Sequence, residues 1–279
     1  MSAAATCTYC GHSHGVFVAR KEVQQSVEAF FHADFSLYHC PECGLYYSWP
    51  MDRRTLDGLG RYFAEFYNNK DRIYDPKTEV GETWRPTPIR DALRRIYRSI
   101  RPHRDFPLGR AGEAMAMLQA RGVRTLLDVG CSYGAFVRSA MQHGIEGYGV
   151  EPNEEVVAVM RGRGIEAVSA GFFPDETGPL PRYDAVTFFQ VLMYLHDISP
   201  TFFRKCRDIL NPGGSLIVFG SDPRHRGSDE IERAMRVPLV VNFTGEEFMR
   251  RAATDAGFSS YEYAACKGEP TSCFHLLTA

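Results

Sequence analysis

Residues 126–137 read LLDVGCSYGAFV, and this stretch decides the fold. An apolar run ends in Asp128, and Gly130 and Gly134 follow before a segment with a helical pattern. Glycines in a tight turn leave bare backbone at a helix N-terminus, where a ligand can approach closely. The stretch therefore predicts a strand, a ligand-binding loop and a helix.

The acid at the mouth of this loop argues against a dinucleotide as the ligand. Dinucleotide-binding loops have the spacing G-x-G-x-x-G and hold a pyrophosphate. Here the spacing is G-x-x-x-G, and Asp128 would repel a pyrophosphate but suit a sulfonium and an ammonium group. Glu151 ends a second apolar segment, GYGVE, where a carboxylate can accept both hydroxyls of a ribose. The pattern favours a nucleoside-like, cationic ligand without phosphates.

The motif DVGCSYG with the downstream VEPN resembles the class I, Rossmann-like S-adenosylmethionine-dependent methyltransferases. Three further segments follow in the order of that family, namely YDAVTFFQVLMYLHD, NPGGSLIVFGS and NFTGEEFMRRAATDAGF. The resemblance covers roughly residues 112–279. It implies a methyltransferase (EC 2.1.1) that uses S-adenosyl-L-methionine.

The resemblance also implies which residues contact the cofactor, because they follow the strands or form the glycine loop. They are Asp128, Gly130, Cys131, Ser132, Tyr133, Gly134, Glu151, Pro152, Gly171, Phe172, Phe189 and Gln190. In related enzymes a tyrosine-rich helix caps the cofactor pocket, and RYFAEFYNNKDRIYD is such a segment. Tyr62 and Tyr67 are therefore expected as lid residues, with simple packing on the core as the alternative.

Regular alternation of strand and helix patterns begins at Gly112 and predicts an α/β fold with seven strands. Helices are expected on both faces of a mostly parallel, doubly wound sheet, and the family's topology makes the last strand antiparallel. We expect three regions: a small zinc-ribbon-like module (1–50), a helical lid or linker (51–111) and the methyltransferase domain (112–279). Ligands of such sheets bind at the carboxyl ends of the strands.

Four of the eight cysteines form two C-x-x-C pairs, Cys7 with Cys10 and Cys40 with Cys43. Each pair is followed by a glycine, which permits the backbone twist of a zinc knuckle. The long interval between the pairs can hold a β-hairpin, and KEVQQSVEAFFHADFSLYHC is rich in strand-forming residues. Four thiolates close a tetrahedral site, so a structural Zn²⁺ is predicted. A redox C-x-x-C is the alternative, and His12, His14 and His39 are near enough to substitute as ligands.

The composition is that of an ordinary globular protein, with 279 residues, 44% hydrophobic residues and a formal net charge of −2. This charge makes nucleic acid an unlikely partner overall, although a local basic patch would escape the test. The sequence has neither a signal-peptide pattern nor a long apolar run. We expect a cytoplasmic protein that does not enter membranes.

The segment WRPTPIRDALRRIYRSIRPHRDF predicts an amphipathic helix with a separate stripe of arginines. A solvated or salt-bridged face explains this stripe most simply. The alternatives are a phosphate-bearing or carrier-bound small-molecule acceptor, since arginine forks bind phosphates, and a macromolecular substrate.

Methyl transfer from a sulfonium needs alignment and desolvation, and a base only if the acceptor arrives protonated. The family often has DVLEHLPDP after the fourth strand, whereas this chain has QVLMYLHD, which removes the usual histidine. His196 and Tyr194 are the catalytic candidates, with packing or support of neighbouring residues as the alternative. In the long segment before Asn242, His225, Arg224 and Arg226 are candidates for acceptor contact, with an ordinary surface loop as the alternative.

These features together favour a methyltransferase that acts on a small molecule. Resembling enzymes with an N-terminal CxxCG...HCPxCGLxY module act in sugar, surface-glycan and natural-product biosynthesis. Two alternatives stay open: an RNA or protein methyltransferase that grips its substrate with the zinc module and the arginine helix, and a non-catalytic zinc-ribbon scaffold. The preserved acids and glycines argue against the scaffold.

Overall fold

The computed structural model describes 5–20, 35–51, 53–61, 108–162, 164–169, 173, 179–196, 198–225, 231, 240–266 and 269–279. The predicted lid residues Tyr62 and Tyr67, the expected cofactor contacts Gly171 and Phe172, the arginine-rich segment and Arg226 lie outside these residues.

Six α-helices and eleven strands make up the regular structure of the described residues. The helices are α1 (Arg53–Arg61), α2 (Leu108–Ala120), α3 (Ala135–Gln142), α4 (Glu154–Gly162), α5 (Pro200–Asp208) and α6 (Glu246–Ala256). The strands are β1 (Val16–Arg20), β2 (Ser36–His39), β3 (Tyr46–Trp49), β4 (Thr125–Val129), β5 (Glu146–Glu151), β6 (Ala167–Ser169), β7 (Tyr183–Phe189), β8 (Leu210–Ser221), β9 (Asn242–Phe243), β10 (Ser260–Cys266) and β11 (Glu269–Thr278). Short 3₁₀ turns occur at Leu192–Tyr194 and Pro223–His225.

The larger sheet has the strand order β10-β11-β8-β7-β4-β5-β6. The pairs β4–β5, β4–β7, β5–β6 and β7–β8 are parallel, whereas β11 runs antiparallel to both β8 and β10. Parallel neighbours require crossover connections, which helices supply here. The predicted mixed α/β class with a parallel-rich sheet is confirmed.

Glycines end several helices where the sequence predicts them. The backbone at Gly122, Gly144 and Gly164 has φ values of 65°, 79° and 74°, in the left-handed region that glycine adopts without steric strain. Neighbouring residues also determine where α5 starts. The side chain of Ser199 accepts a hydrogen bond from the amide of Phe202, and Pro200 is the first residue of the helix. Local residue chemistry therefore sets the element boundaries on which the site depends.

The smaller sheet has the order β1-β2-β3-β9, and all its pairs are antiparallel. The expected hairpin between the cysteine pairs is present, but its first strand, Val16–Arg20, precedes the segment whose composition suggested strands. Its last strand comes from far along the chain, at Asn242–Phe243. The sequence did not predict this strand.

The N-terminal module packs directly on two helices of the larger domain. The ring of Tyr9 lies edge-on to Phe248 of α6, with the centroids 4.9 Å apart, and its hydroxyl donates to Asp255 at 3.0 Å. The module's Tyr47 and its buried cysteines, Cys7, Cys40 and Cys43, belong to the same hydrophobic cluster as Phe203 and Phe248. One continuous core therefore joins the module to the domain.

Among the described residues, no helix is both long and apolar enough to cross a bilayer.

Candidate functional site

The glycine loop connects β4 to α3 as the sequence predicts. Gly130 and Gly134 have φ values of 71° and 72°, and Gly134 forms the N-cap of α3 in the left-handed conformation. Ser132 between them also has a positive φ, of 48°, which is uncommon for a residue other than glycine. Such strain is typical of ligand-binding loops.

Glu151, the last residue of β5, holds this loop in place. Its carboxylate accepts hydrogen bonds from the backbone amide of Ser132 at 3.0 Å and from that of Asn153 at 3.3 Å. Burial raises the pKa of Glu151, although these two amides oppose the change. A buried carboxylate therefore lies at the carboxyl end of the strand beside the loop, where the ribose-binding prediction put it.

Asp128 lies on the adjacent strand, β4, and is buried. Its Oδ1 accepts a hydrogen bond of 2.7 Å from the hydroxyl of Thr187, its register partner on β7. Burial, reinforced by the charge of Glu151 and opposed by the Thr187 hydrogen bond, raises the pKa of Asp128 to about 7. In the part of the chain that the structure describes, neither Asp128 nor Glu151 forms an ion pair with Lys or Arg. Two buried acids without a cation form an electrostatic environment that favours a positively charged ligand.

The segment after β7 packs against the glycine loop. A Cβ placed on Gly130 would lie 2.6 Å from Cγ2 of Val191, a separation that side chains do not tolerate. Gly130 thus serves two purposes, since it takes up the positive φ and leaves room for Val191.

A cleft opens on the other side of this segment, at the carboxyl ends of β7 and β8. Its volume is about 260 Å³ when the space open to solvent is included. Its lining consists of Gln190, Leu192, Met193, Val218, Phe219, Gly220, Ser221, Asn242, Phe243 and Thr244. The lining is apolar with a few neutral polar groups, and the enclosed space is about 10 Å³, roughly the room of one water molecule.

Some predicted cofactor residues have other contacts. The Cys131 side chain packs away from the cleft, with its Sγ 3.6 Å from the sulfur of Met160. Phe189 packs against Phe136, with the ring centroids 4.4 Å apart. Gln190 lines the cleft with a φ of 56°, while Tyr133 and Pro152 are exposed.

Of the catalytic candidates, Tyr194 lies on the short turn after β7 and His196 just beyond it. Tyr194 packs against the cluster that contains Leu37 and Phe243, and the half-buried His196 follows the turn. The neighbourhood of Tyr194 supports the packing alternative stated for it.

Arg224, a candidate for acceptor contact, is already paired with two acids. Its guanidinium bonds Asp222 and lies 2.9 Å from a carboxylate oxygen of Glu246. The buried Asp222 therefore has its counter-charge within the protein. His225 ends the same 3₁₀ turn and is exposed.

Two residues of this region were not predicted. Thr187 binds Asp128, and the signal for it was available, because parallel register puts the two at the same level of adjacent strands. Asn242 is buried and lines the cleft, but nothing in its local sequence indicates that role.

The four cysteines of the two C-x-x-C pairs come together as predicted. All four Sγ atoms lie within 4.8 Å of one another, with 3.6 Å between Cys7 and Cys43 and 3.5 Å between Cys10 and Cys40. These separations are too long for disulfides, and all four cysteines are free. A tetrahedral Zn²⁺ site with Zn–S bonds of about 2.3 Å has sulfurs about 3.8 Å apart, so the cluster fits the metal.

The two turns that carry the cysteines are built alike. The amide of Gly11 donates to the carbonyl of Cys7 at 3.0 Å, and the amide of Gly44 donates to that of Cys40 at 2.9 Å. Both glycines have positive φ, of 75° and 74°. Two matching knuckles therefore point their sulfurs at one centre. The hydrogen bond with Cys7 and burial raise the pKa of Cys43.

Gly130→Ala tests the fit between the loop and Val191. The added methyl group is expected to cost about 1 kcal/mol for the positive φ and about 1–3 kcal/mol more for the contact with Val191. Gly144→Ala is the matched control, because Gly144 has a φ of 79° and nothing within 4 Å of the added Cβ. Urea unfolding measures both, and equal losses would contradict the close contact.

Comparisons with known proteins agree with this architecture. Residues 84–263, more than half of the chain, match the family model described as a methyltransferase domain. The tabtoxin biosynthesis enzyme of Pseudomonas amygdali pv. tabaci is 26% identical over 141 residues, which are 49% of this chain and 55% of that protein. The ubiquinone biosynthesis O-methyltransferase of Bradyrhizobium diazoefficiens is 23% identical over 165 residues, 56% of this chain and 59% of that protein. The chain thus spans less than two thirds of the length of either relative.

Solved structures show the same fold. The S-adenosylmethionine-dependent methyltransferase SibL is similar with a TM-score of 0.51 and 18% identity, over 69% of this chain and 59% of its own. The mitomycin 7-O-methyltransferase MmcR is similar with a TM-score of 0.50 and 19% identity, over 61% and 53%. The strand order, the glycine loop and the family match lead to one conclusion: this chain belongs to the methyltransferase domain family.

Proposed function

We propose that this protein is an S-adenosylmethionine-dependent methyltransferase that acts on a small-molecule acceptor. The observation that carries the proposal is the pair of buried acids, Asp128 and Glu151, on either side of the glycine loop. S-adenosylmethionine supplies a methyl group already activated on a sulfonium. The relatives named for tabtoxin and ubiquinone biosynthesis support an acceptor that is a biosynthetic intermediate.

The residues of the site have distinct tasks in this proposal. Glu151 accepts hydrogen bonds from the ribose hydroxyls. The ionised form of Asp128 offsets the positive charge of the methyl donor. The glycine loop provides bare backbone next to the donor. The acceptor lies at the mouth of the cleft beyond the 191–195 segment, where alignment and exclusion of water supply much of the acceleration for an in-line displacement. Tyr194 and His196 remain the candidates for contact with the acceptor, as do Tyr62 and Tyr67 for the lid.

A calorimetric titration with S-adenosylmethionine tests the proposal directly. We expect one binding site per chain, with competition by S-adenosylhomocysteine. Absence of heat and of competition, in a protein that is folded by circular dichroism, would overturn it. Methyl transfer from labelled donor to a panel of hydroxyl- and amine-bearing biosynthetic intermediates then identifies the acceptor.

We further propose that the four cysteines hold a structural Zn²⁺. The donor set is four thiolates, which suits zinc and leaves no position for water or substrate. The metal therefore supports the fold and takes no part in the methyl transfer. Elemental analysis of the purified protein is expected to give one zinc per chain.

The affinity for S-adenosylmethionine is expected to rise with pH through about pH 7. Burial raises the pKa of Asp128 to about 7, and the ionised form is the one that favours a cation. If only that form binds well, the affinity increases about tenfold between about pH 6 and pH 8. Isothermal titration across this range measures it.

Three variants separate this effect from other titrations. Asp128→Asn is expected to flatten the profile, and Thr187→Val to move its midpoint upward, because the hydroxyl bond lowers the pKa of Asp128. Asp184→Asn is the matched control, since hydrogen bonds from Asn211 and nearby backbone amides lower the pKa of Asp184 despite its partial burial. A wild-type profile that is already flat would contradict the role of Asp128.

A further inference from the structure

Asn242 holds the turn that separates the glycine loop from the cleft. Its side-chain amide donates to the carbonyl oxygens of Leu195 and, at 3.5 Å, of Leu192. The carbonyl of Leu192 already accepts from the amide of Leu195 at 3.1 Å, whereas the carbonyl of Leu195 lies at the end of the turn and needs a partner from outside it. Asn242 is 2% exposed, so water cannot readily replace its amide.

The turn that Asn242 holds touches both halves of the site. On one side Val191 lies against Gly130 of the donor loop. On the other side Leu192 and Met193 line the cleft. A shift of the 191–195 segment would therefore change the position of the glycine loop and the lining of the cleft together.

Asn242 is itself held by the cysteine module. Within β9 it is the register partner of Tyr47 on β3, and the amide of Ser48 donates to the carbonyl of Val241 at 2.9 Å. The amide of Val241 in turn donates to the carbonyl of Met193 at 2.8 Å. β9 and the preceding Val241 thus lie between β3 and the 191–195 segment and bond to both.

Side-chain packing follows the same path. Met193 and Tyr194 pack against a small apolar cluster that includes Leu37 of the module and Phe243 of β9. Backbone pairing, the Asn242 amide and apolar contact all link the module to the turn.

We propose that Asn242 is a positioning residue, which fixes the 191–195 segment between donor loop and acceptor cleft onto the strand that the cysteine module holds. The inference rests on the proposed function, because that function gives the cleft its acceptor. The cysteine module would then help to fix the position of the 191–195 segment, which lies between the methyl donor and the acceptor.

Hydrogen exchange in Asn242→Leu tests the proposal. The variant keeps the volume of the side chain and loses its two donors. The amides of Tyr194 and Leu195, which bond within the turn, are expected to exchange about tenfold faster, while those of β4 and β7 keep the wild-type rate. S-adenosylhomocysteine is expected to slow the exchange of the turn in the wild type, through Val191, and to lose that effect in the variant.

Asn211→Leu is the matched control. Its side-chain amide donates to Asp184 at 2.8 Å, at the start of β8, whereas the cleft lies at the end of that strand. It is expected to leave the exchange of the turn unchanged. If Asn242→Leu does not fold, Asn242→Ser, which keeps one hydrogen-bond donor, replaces it. A smaller increase in the exchange rate, again confined to the turn, is expected for this variant.

The outcomes separate the two proposals. Unchanged exchange of the turn in folded Asn242 variants, or an increase of equal size throughout β4 and β7, would overturn the positioning role. Failure of the wild type to bind S-adenosylhomocysteine would overturn the proposed function, while the exchange without ligand would still report on Asn242.

Discussion

Glu151→Ala is expected to weaken the binding of S-adenosylhomocysteine about a hundredfold. The carboxylate lies at the carboxyl end of β5 and already orders the loop through the amides of Ser132 and Asn153. Charge-assisted hydrogen bonds to a ribose contribute about 1.5–3 kcal/mol each, and about 2.7 kcal/mol corresponds to the expected factor. Isothermal titration calorimetry measures the loss.

Glu146→Ala is the matched control for this variant. Glu146 begins the same strand, is exposed and bonds Tyr148 rather than the loop. Its removal is expected to leave the affinity unchanged. Glu151→Gln keeps the size and one acceptor oxygen, so an intermediate loss is expected. Wild-type affinity in Glu151→Ala would remove the central support for the proposed cofactor site.

Cys43→Ser is expected to abolish stoichiometric metal binding and to lower the melting temperature by about 10–20 °C. A structural Zn²⁺ contributes folding free energy directly, and a loss of about 5 kcal/mol produces a shift of this size in a domain of 150–250 residues. The loss affects more than the module, since Cys43 belongs to the same core cluster as Phe203 and Phe248. Elemental analysis and differential scanning calorimetry provide the two readouts.

Cys206→Ser separates the metal effect from the loss of a buried sulfur. Cys206 is completely buried in the same cluster and lies outside the group of four. Its variant is expected to keep one metal per chain and to lose about 1–3 kcal/mol of stability, because a hydroxyl replaces a thiol in the core. Equal melting temperatures and metal contents in the two variants would contradict a metal at the cysteine cluster.

Features that depend on neighbouring residues could be predicted from the sequence. The glycine loop follows from Gly130 and Gly134, which the sequence placed in a tight turn and which both have positive φ in the structure. The cysteine cluster follows from the two C-x-x-C pairs and their glycines, because a short turn fixes where each pair of sulfurs points. Glu151 could be placed because the end of a strand determines which groups meet at the edge of a sheet.

Features that depend on distant pairing could not be predicted. β9 consists of only two residues, which are too few to show a strand pattern in the sequence. They form a strand because they pair with β3. Arg224 was a candidate for acceptor contact, with a surface loop as the alternative. Its partner Asp222 is close in sequence, but Glu246 becomes a neighbour only when α6 packs beside the turn after β8. The sequence also did not predict the direction of the Cys131 side chain, which points toward Met160 in the structure.

The pairing of β3 with β9 also has a consequence for the order in which the protein folds. The two knuckles are synthesised before β9, and their four cysteines can gather early because they lie close together in the sequence. The sheet beside them is completed only after Asn242 and Phe243, much later in the sequence, have been synthesised. Until then the outer edge of β3 is an unpaired strand, so nascent chains that stall before residue 242 present an edge open to association with other chains.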